Sequence, residues 1–224
     1  MPISIVLPRR ENPLESLLTY LPCAAVMEYR RGQTIYYQGQ YVNCIYLVIG
    51  GRVKISRFAH DGEQIVIDVY GPNEFFGESA LLNMPYSAEH VTAMENSKLM
   101  MWTASAIQEI AMRRPRLAVA LLQILVERTM DYSKRVESLC ADNSGCRLAR
   151  SLIRFSERLG IPQEDGSVQM KPFPHELLAH YVGMCREVVT YNMNQFRRDG
   201  FVQYSRKEIV LHPEALGEWL QQNA

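Results

Sequence analysis

The chain of 224 residues has no excess charge of either sign: 24 Lys and Arg balance 24 Asp and Glu. That argues against a uniformly basic coat. No apolar run approaches the roughly 20 residues that span a bilayer. The start, "MPISIVLPRRENP", sets its short apolar patch ahead of its arginines, the reverse of signal-peptide order, so the expected location is cytoplasmic. The five cysteines, Cys23, Cys44, Cys140, Cys146 and Cys185, are odd in number and far apart, with no C-x-x-C pair. Neither a disulfide framework nor a cysteine zinc site is expected; most should be small buried hydrophobes. His60 and His90 are isolated, whereas a cupin-like β-roll metalloenzyme needs H-x-H and Glu ligands clustered on neighbouring strands.

What is present is a 47% hydrophobic chain, long enough for one large domain or two modest ones with a real core. Its neutral balance hides an uneven distribution. From Arg113 to Arg158 there are ten basic residues against five acidic ones. Such a segment is either a solvated helix surface or a face that meets phosphate. From Ala24 to Trp102 the texture is that of short strands: "TIYYQ", "CIYLVI", "RVKISRF", "EQIVIDVY" and "AEHVTAM" lie between glycines, and "HDG" (60–62) marks a hairpin. Regular short strands with turn signals predict an antiparallel roll or barrel, preceded by a helix over Pro13 to Leu21.

After Trp102 the pattern becomes helical. Thr103 can cap one helix, and Pro115 suits the first turn of a second that runs to about Cys140. On it Ala118, Leu122, Leu125, Thr129, Tyr132, Val136 and Leu139 recur at alternating four- and three-residue spacing. Leu121 and Ile124 form another stripe. Two stripes favour one face on the roll and one on a second copy of the chain over a single broad intramolecular face. "ADNSG" (141–145) reads as a hinge, and "IPQEDGS" (161–167) as a polar, mobile-looking loop. A short helix over Pro174 to Tyr181, a turn at Gly183, and a second helix from about Cys185 to Arg198 follow. Val189, Met193 and Phe196 share the inward face of the second; Arg186, Glu187, Thr190, Tyr191 and Asn194 point the other way. "FVQYS" and "EIVLH" then make a small hairpin wing. This order is a winged helix-turn-helix, whose second helix enters the DNA major groove.

On "FFGESALL" (75–82), "YSAEHVTAMENSKL" (86–99), the long helix and "HELLAHYVGMCREVVTYNMNQFRRDGFV" (175–202), the chain resembles the bacterial CRP/FNR regulators. The resemblance implies an α+β protein: a sensing β-roll at 1–114, a dimerisation helix at 115–140 with Leu122, Leu125, Tyr132, Val136 and Leu139 in its seam, and a winged helix-turn-helix at 141–224. It implies a non-enzymatic transcriptional regulator whose partners are palindromic double-stranded DNA, its own copy and RNA polymerase, with no membrane. Arg186 and Glu187 match an Arg-Glu pair that reads a G·C pair, with Cys185, Thr190, Tyr191 and Asn194 on the same DNA-facing helix. Four residues after Glu187 the family usually has a second Arg; here it is Tyr191. A signalling module that binds ligand but not DNA is the remaining alternative, and the winged motif argues against it.

The resemblance also places the effector pocket at Gly77, Glu78, Ser79, Tyr86 and Ser87, with Tyr132 and Ser133 on the long helix. Glu78 stands where the family holds a ribose. Tyr86 stands where it holds a phosphate with Arg, so cyclic AMP is not the expected ligand. Only Cys23 lies near the amino terminus, which argues against an iron–sulfur cluster. Haem, for which His60, His90 and Cys44 are available, is disfavoured by their isolation. The effector is left as a small organic ligand, a redox signal or none. Cys185 occupies a helix-cap position beside Arg186; dipole and guanidinium favour its thiolate, while its small size alone also accounts for it.

Overall fold

The computed structural model describes residues 25–82 and 86–223. The expected amino-terminal helix and Cys23 lie outside them. Two antiparallel sheets face each other. One has the order β1 (Ala25–Tyr29), β8 (Ser97–Thr103), β3 (Cys44–Gly50), β6 (Phe75–Phe76); the other runs β2 (Thr34–Tyr36), β7 (His90–Ala93), β4 (Val53–Phe58), β5 (Gln64–Tyr70). Strand alternation divides their side chains between two cores. On β3, Tyr46 and Val48 enter the interior of the roll with Tyr36, Val53, Ile55, Phe76, Val91 and Leu99. Ile45 and Leu47 point outward, onto Phe75, Trp102 and the helices. The "HDG" hairpin joins β4 to β5 as expected, with a bulge: Ile55 faces Asp68 and Ser56 faces Val66, leaving Ile67 unpaired. Strands β1 and β8 escape the sequence pattern because "SKLMMWT" is Met-rich rather than β-branched and β1 is an exposed edge.

Thr103 caps α1 (Ala104–Arg113), its hydroxyl accepting from the Ala106 amide at 3.2 Å. Helix α2 (Pro115–Ala141) opens on Pro115 and is 27 residues long, about 40 Å at 1.5 Å per residue. Leu117 and Ala120, flanked by Leu121 and Ile124, close the outer core against Ile107 and Trp102. A fully buried leucine such as Leu117 contributes roughly 1.5–3 kcal/mol.

The carboxy-terminal unit comprises α3 (Ser144–Leu159), β9 (Ile161–Pro162), β10 (Val168–Met170), α4 (His175–Val182), α5 (Arg186–Arg198), β11 (Val202–Tyr204), β12 (Ile209–Leu211) and α6 (Pro213–Asn223). Two expectations need correction. The hinge is not "ADNSG" but Asp142 and Asn143 alone, and Asp142 is pinned by the Ser138 hydroxyl at 2.5 Å and Arg150 Nε at 2.6 Å. The supposed mobile loop is a hairpin: β9 pairs with β10, and Asp165 accepts from the Ser167 amide and hydroxyl. The wing is the expected hairpin, β11 pairing with β12, and β12 also pairs with β10 in the sheet β11-β12-β10-β9. Helix α6, unmarked in the sequence reading, packs Leu216 and Leu220 into the same core as Leu148, Leu152, Phe155, Leu178, Val189, Met193 and Phe196.

Candidate nucleic-acid interface and effector pocket

Gly183 ends α4 in the left-handed conformation (φ 65°), which glycine adopts without the Cβ penalty. The turn lets α5 cross α4 and bury Val189, Met193 and Phe196. The opposite side of α5 leaves Arg186 and Glu187 exposed in its first turn, with Tyr191 at 68% one turn on. Cys185 is the N-cap residue and is exposed, but its side chain makes no capping bond. The other two expected DNA-facing residues are engaged within the domain. The Thr190 hydroxyl lies 2.9 Å from His175 Nδ1 and donates to the Arg186 carbonyl at 2.9 Å. Asn194 Oδ1 accepts from the Tyr204 hydroxyl at 2.9 Å. Both are half-buried.

Of the expected pocket residues, Glu78 and Tyr132 are joined through Arg128 and Tyr70. Gly77 (φ 84°) belongs there as glycine, since a Cβ would stand 2.8 Å from the Cys44 carbonyl oxygen. Glu78 opens a short 3-10 turn (Glu78–Leu82) that includes Ser79. Tyr86 is 66% exposed. Ser87 is buried, but its amide donates to the Gln40 carbonyl at 2.8 Å. Ser133 is exposed, its hydroxyl donating to the Thr129 carbonyl at 2.9 Å. Tyr132 is half-buried, its hydroxyl 3.4 Å from that of Tyr70.

Two charged residues beside Glu78 were missed. Arg128 of α2 pairs with Glu78 at 2.5 Å, donates to the Phe75 carbonyl and lies over the Tyr70 ring, 4.5 Å from its centroid. Glu89 lies 3.4 Å from the Tyr36 hydroxyl. Burial, then the charge of Glu78, raises its pKa above the ordinary carboxylate value. The signal for Arg128 was positional: it continues the roll-facing stripe of Leu117, Leu121 and Ile124 at helical spacing, but a search for apolar residues passes over an arginine.

The carboxy-terminal unit is fastened to β5. Val66 and Val69 join its apolar core. Asp68, 0% exposed, is gripped by Arg154 and Arg158 of α3, each with a contact at 2.9 Å. Burial alone would raise the Asp68 pKa; the charges of Arg158 and Arg154 outweigh it and hold the carboxyl below its ordinary value. Arg158 also pairs with Glu74 at 2.7 Å, and its guanidinium lies 5.4 Å from the Tyr70 ring centroid. Arg135 of α2 donates to the carbonyls of Val66, Ile67 and Tyr181. Much of the basic character of the segment from Arg113 to Arg158 is therefore turned inward.

A roll followed by a long helix and a winged helix-turn-helix has counterparts. Residues 26–114 match the family description "Cyclic nucleotide-binding domain", and residues 146–219 match "Crp-like helix-turn-helix domain". The chain belongs to the CRP/FNR family of transcriptional regulators. It is 29% identical over 196 residues to the global nitrogen regulator of Synechococcus elongatus, covering 86% of this chain and 88% of that one. It is 25% identical to a CRP-like cAMP-activated global transcriptional regulator of Mycobacterium tuberculosis, covering 83% of each. A CRP/FNR regulator from Thermus thermophilus superposes with a TM-score of 0.69 at 26% identity, over 89% of this chain and all of that one. FixK2 from Bradyrhizobium japonicum shares the fold with a TM-score of 0.76, over 87% of this chain and 96% of its own, at 19% identity. Among the described residues, no group of His, Cys, Asp and Glu is placed to hold a metal, and no helix is long and apolar enough to cross a membrane.

Proposed function

We propose that this CRP/FNR regulator acts as a homodimer that reads a two-fold symmetric operator, divided into a sensing roll (1–114), a dimerisation helix (115–140) and a DNA-reading unit (141–224). It is not an enzyme, and RNA polymerase is its expected partner at promoters. The observation that carries the reading is the first turn of α5, where Arg186 and Glu187 stand exposed above a buried Val189, Met193 and Phe196. Arginine there can donate bidentately to guanine while Glu accepts from cytosine N4. The dimer reading is supported by the outer face of α2, where Leu122 and Val136 are each 60% exposed and Leu125 36%. Selection of binding sites from random duplex DNA tests the proposal. Half-sites about one helical turn, ~34 Å, apart support it; recovery of unselected DNA refutes it.

The effector, or redox signal, is not cyclic AMP in this reading. Three observations support that: Tyr86 supplies no cation, the Ser87 amide is occupied, and the pocket's buried Arg128 is already paired with Glu78, with Glu89 nearby. A phosphodiester there would meet Glu78 and Glu89, with Arg128 already committed to Glu78. Calorimetric titration with cyclic AMP and cyclic GMP is expected to show nothing tighter than about millimolar. Micromolar binding by the natural sequence overturns this, and binding gained only by Tyr86→Arg supports it.

A further inference from the structure

We propose that Asp68, on the roll, is a positioning residue for operator reading: through Arg154 and Arg158 it fixes where α5 sits relative to α2, and so sets the half-site spacing the protein accepts. The proposal rests on the two-fold dimer proposed above.

Base choice and spacing are separate matters in such a dimer. Base choice belongs to the side chains of α5; the distance and angle between two copies of α5 belong to whatever holds each carboxy-terminal unit against α2. The covalent link, Asp142 and Asn143, keeps two soft rotations per residue. Arg150 braces Asp142 from the surface, half exposed, where an ion pair is weak. The roll supplies the deeper contacts. Asp68, 0% exposed, accepts from Arg154 and Arg158 of α3, each at 2.9 Å. Arg135 of α2 donates to the Val66, Ile67 and Tyr181 carbonyls, so roll, α2 and α4 meet at one side chain. On the other flank Arg52 donates to the Lys171 and Pro172 carbonyls at 3.2 and 3.4 Å, and Glu95 pairs with Lys171 at 2.9 Å.

Asp68 matters most among these because two guanidinium groups converge on its one carboxylate. Without that charge they repel each other where little water can screen them. Each half has a core of its own: Val48, Val53, Val91 and Leu99 lie inside the roll, Leu152, Phe155, Met193 and Phe196 inside the carboxy-terminal unit. Of the fully buried residues in the second core, the roll contributes Val66 and Val69. Loss of the carboxylate therefore loosens the contact between the halves while each keeps its interior. A loosened unit still presents α5, but it must be ordered again before two half-sites are met together. Strand β5 also approaches α3 at buried Gly71, where a Cβ would stand 2.5 Å from Leu159 Cδ2. A side chain there pries the same contact apart without touching a charge.

The test measures binding of the full chain and its variants to three kinds of duplex: the operator selected by the natural sequence, the same operator with its half-sites moved closer or apart by a base pair, and a single half-site. Asp68→Asn should bind the selected operator about tenfold more weakly and the shifted operators nearly as well as the selected one. On the single half-site it should match the natural sequence in affinity and base ranking. Gly71→Val, whose branched side chain is stiff, should do the same. Leu99→Ala, which opens a cavity inside the roll, reports mere loss of stability and should weaken all three duplexes by one factor. An Asp68→Asn variant that keeps the natural spacing preference, or loses the single half-site as heavily as the operator, overturns the proposal. If Asp68→Asn fails to fold, Gly71→Val decides alone by the same two readings. A natural sequence that selects no paired half-sites overturns the dimer reading, and this proposal with it; paired half-sites bound equally at every spacing overturn this proposal alone.

Discussion

Arg158 and Arg186 are the same side chain put to opposite uses. Arg158 lies inside, its nitrogens shared among Asp68, Glu74 and the Val69 carbonyl. Arg186 stands in water at the start of α5. Arg128, Arg135 and Arg154 follow Arg158 rather than Arg186: their guanidinium groups bond to carboxylates, backbone carbonyls or the Tyr181 hydroxyl. A basic segment in sequence is thus not a basic surface. An arginine left exposed is free to meet a ligand, whereas one bound inside fixes how two parts of the protein sit together. The node it forms is shared: Tyr70 lies between Arg128 of α2 and Arg158 of α3.

The contrast can be broken at its buried end first. Asp68→Ala leaves Arg154 and Arg158 without their shared carboxylate and should destabilise the fold by about 3–5 kcal/mol, read by urea denaturation. A loss under 1 kcal/mol would mean that water replaces the ion pair. On the outer face of α2, Leu125→Glu should weaken association by several kcal/mol, since a charge in an apolar seam must be desolvated; sedimentation at low micromolar concentration measures it. An unchanged dimer would move the seam elsewhere.

Arg186→Ala should leave unfolding untouched and reduce operator affinity by about 1–3 kcal/mol, relaxing one base position. Equal loss on operator and random DNA would make Arg186 a phosphate contact. The same node sets a pH dependence. Asp68 is held below its ordinary value of 3.8, so its contribution is complete above that pH and is lost as pH falls through the lower folded value. Glu74, raised by burial, acts in the opposite sense, and comparison with Asp68→Asn in acid unfolding isolates the Asp68 part. A variant as acid-sensitive as the natural sequence would refute it. Smallest of all, Arg113→Ala breaks an exposed pair with Glu109, four residues back in α1, and should cost under about 0.5 kcal/mol. A larger loss of thermal stability would show that exposed arginines also hold the fold.

Local order was legible in the sequence wherever it depends on near neighbours. The Thr103 cap, Pro115 at the start of α2, the left-handed turn at Gly183 and the inward trio Val189, Met193 and Phe196 follow from backbone preference and helical period. The CRP/FNR pattern was legible too, because its motifs are contiguous. Tertiary structure alone decided where the charges go. Asp68 meets Arg158 across 90 positions of sequence, Arg128 meets Glu78 across 50, and Tyr204 reaches Asn194 from a different element. No local propensity encodes such pairs; they form because burying a charge or a polar group without a partner is costly, and only the assembled fold shows which partner lies within reach.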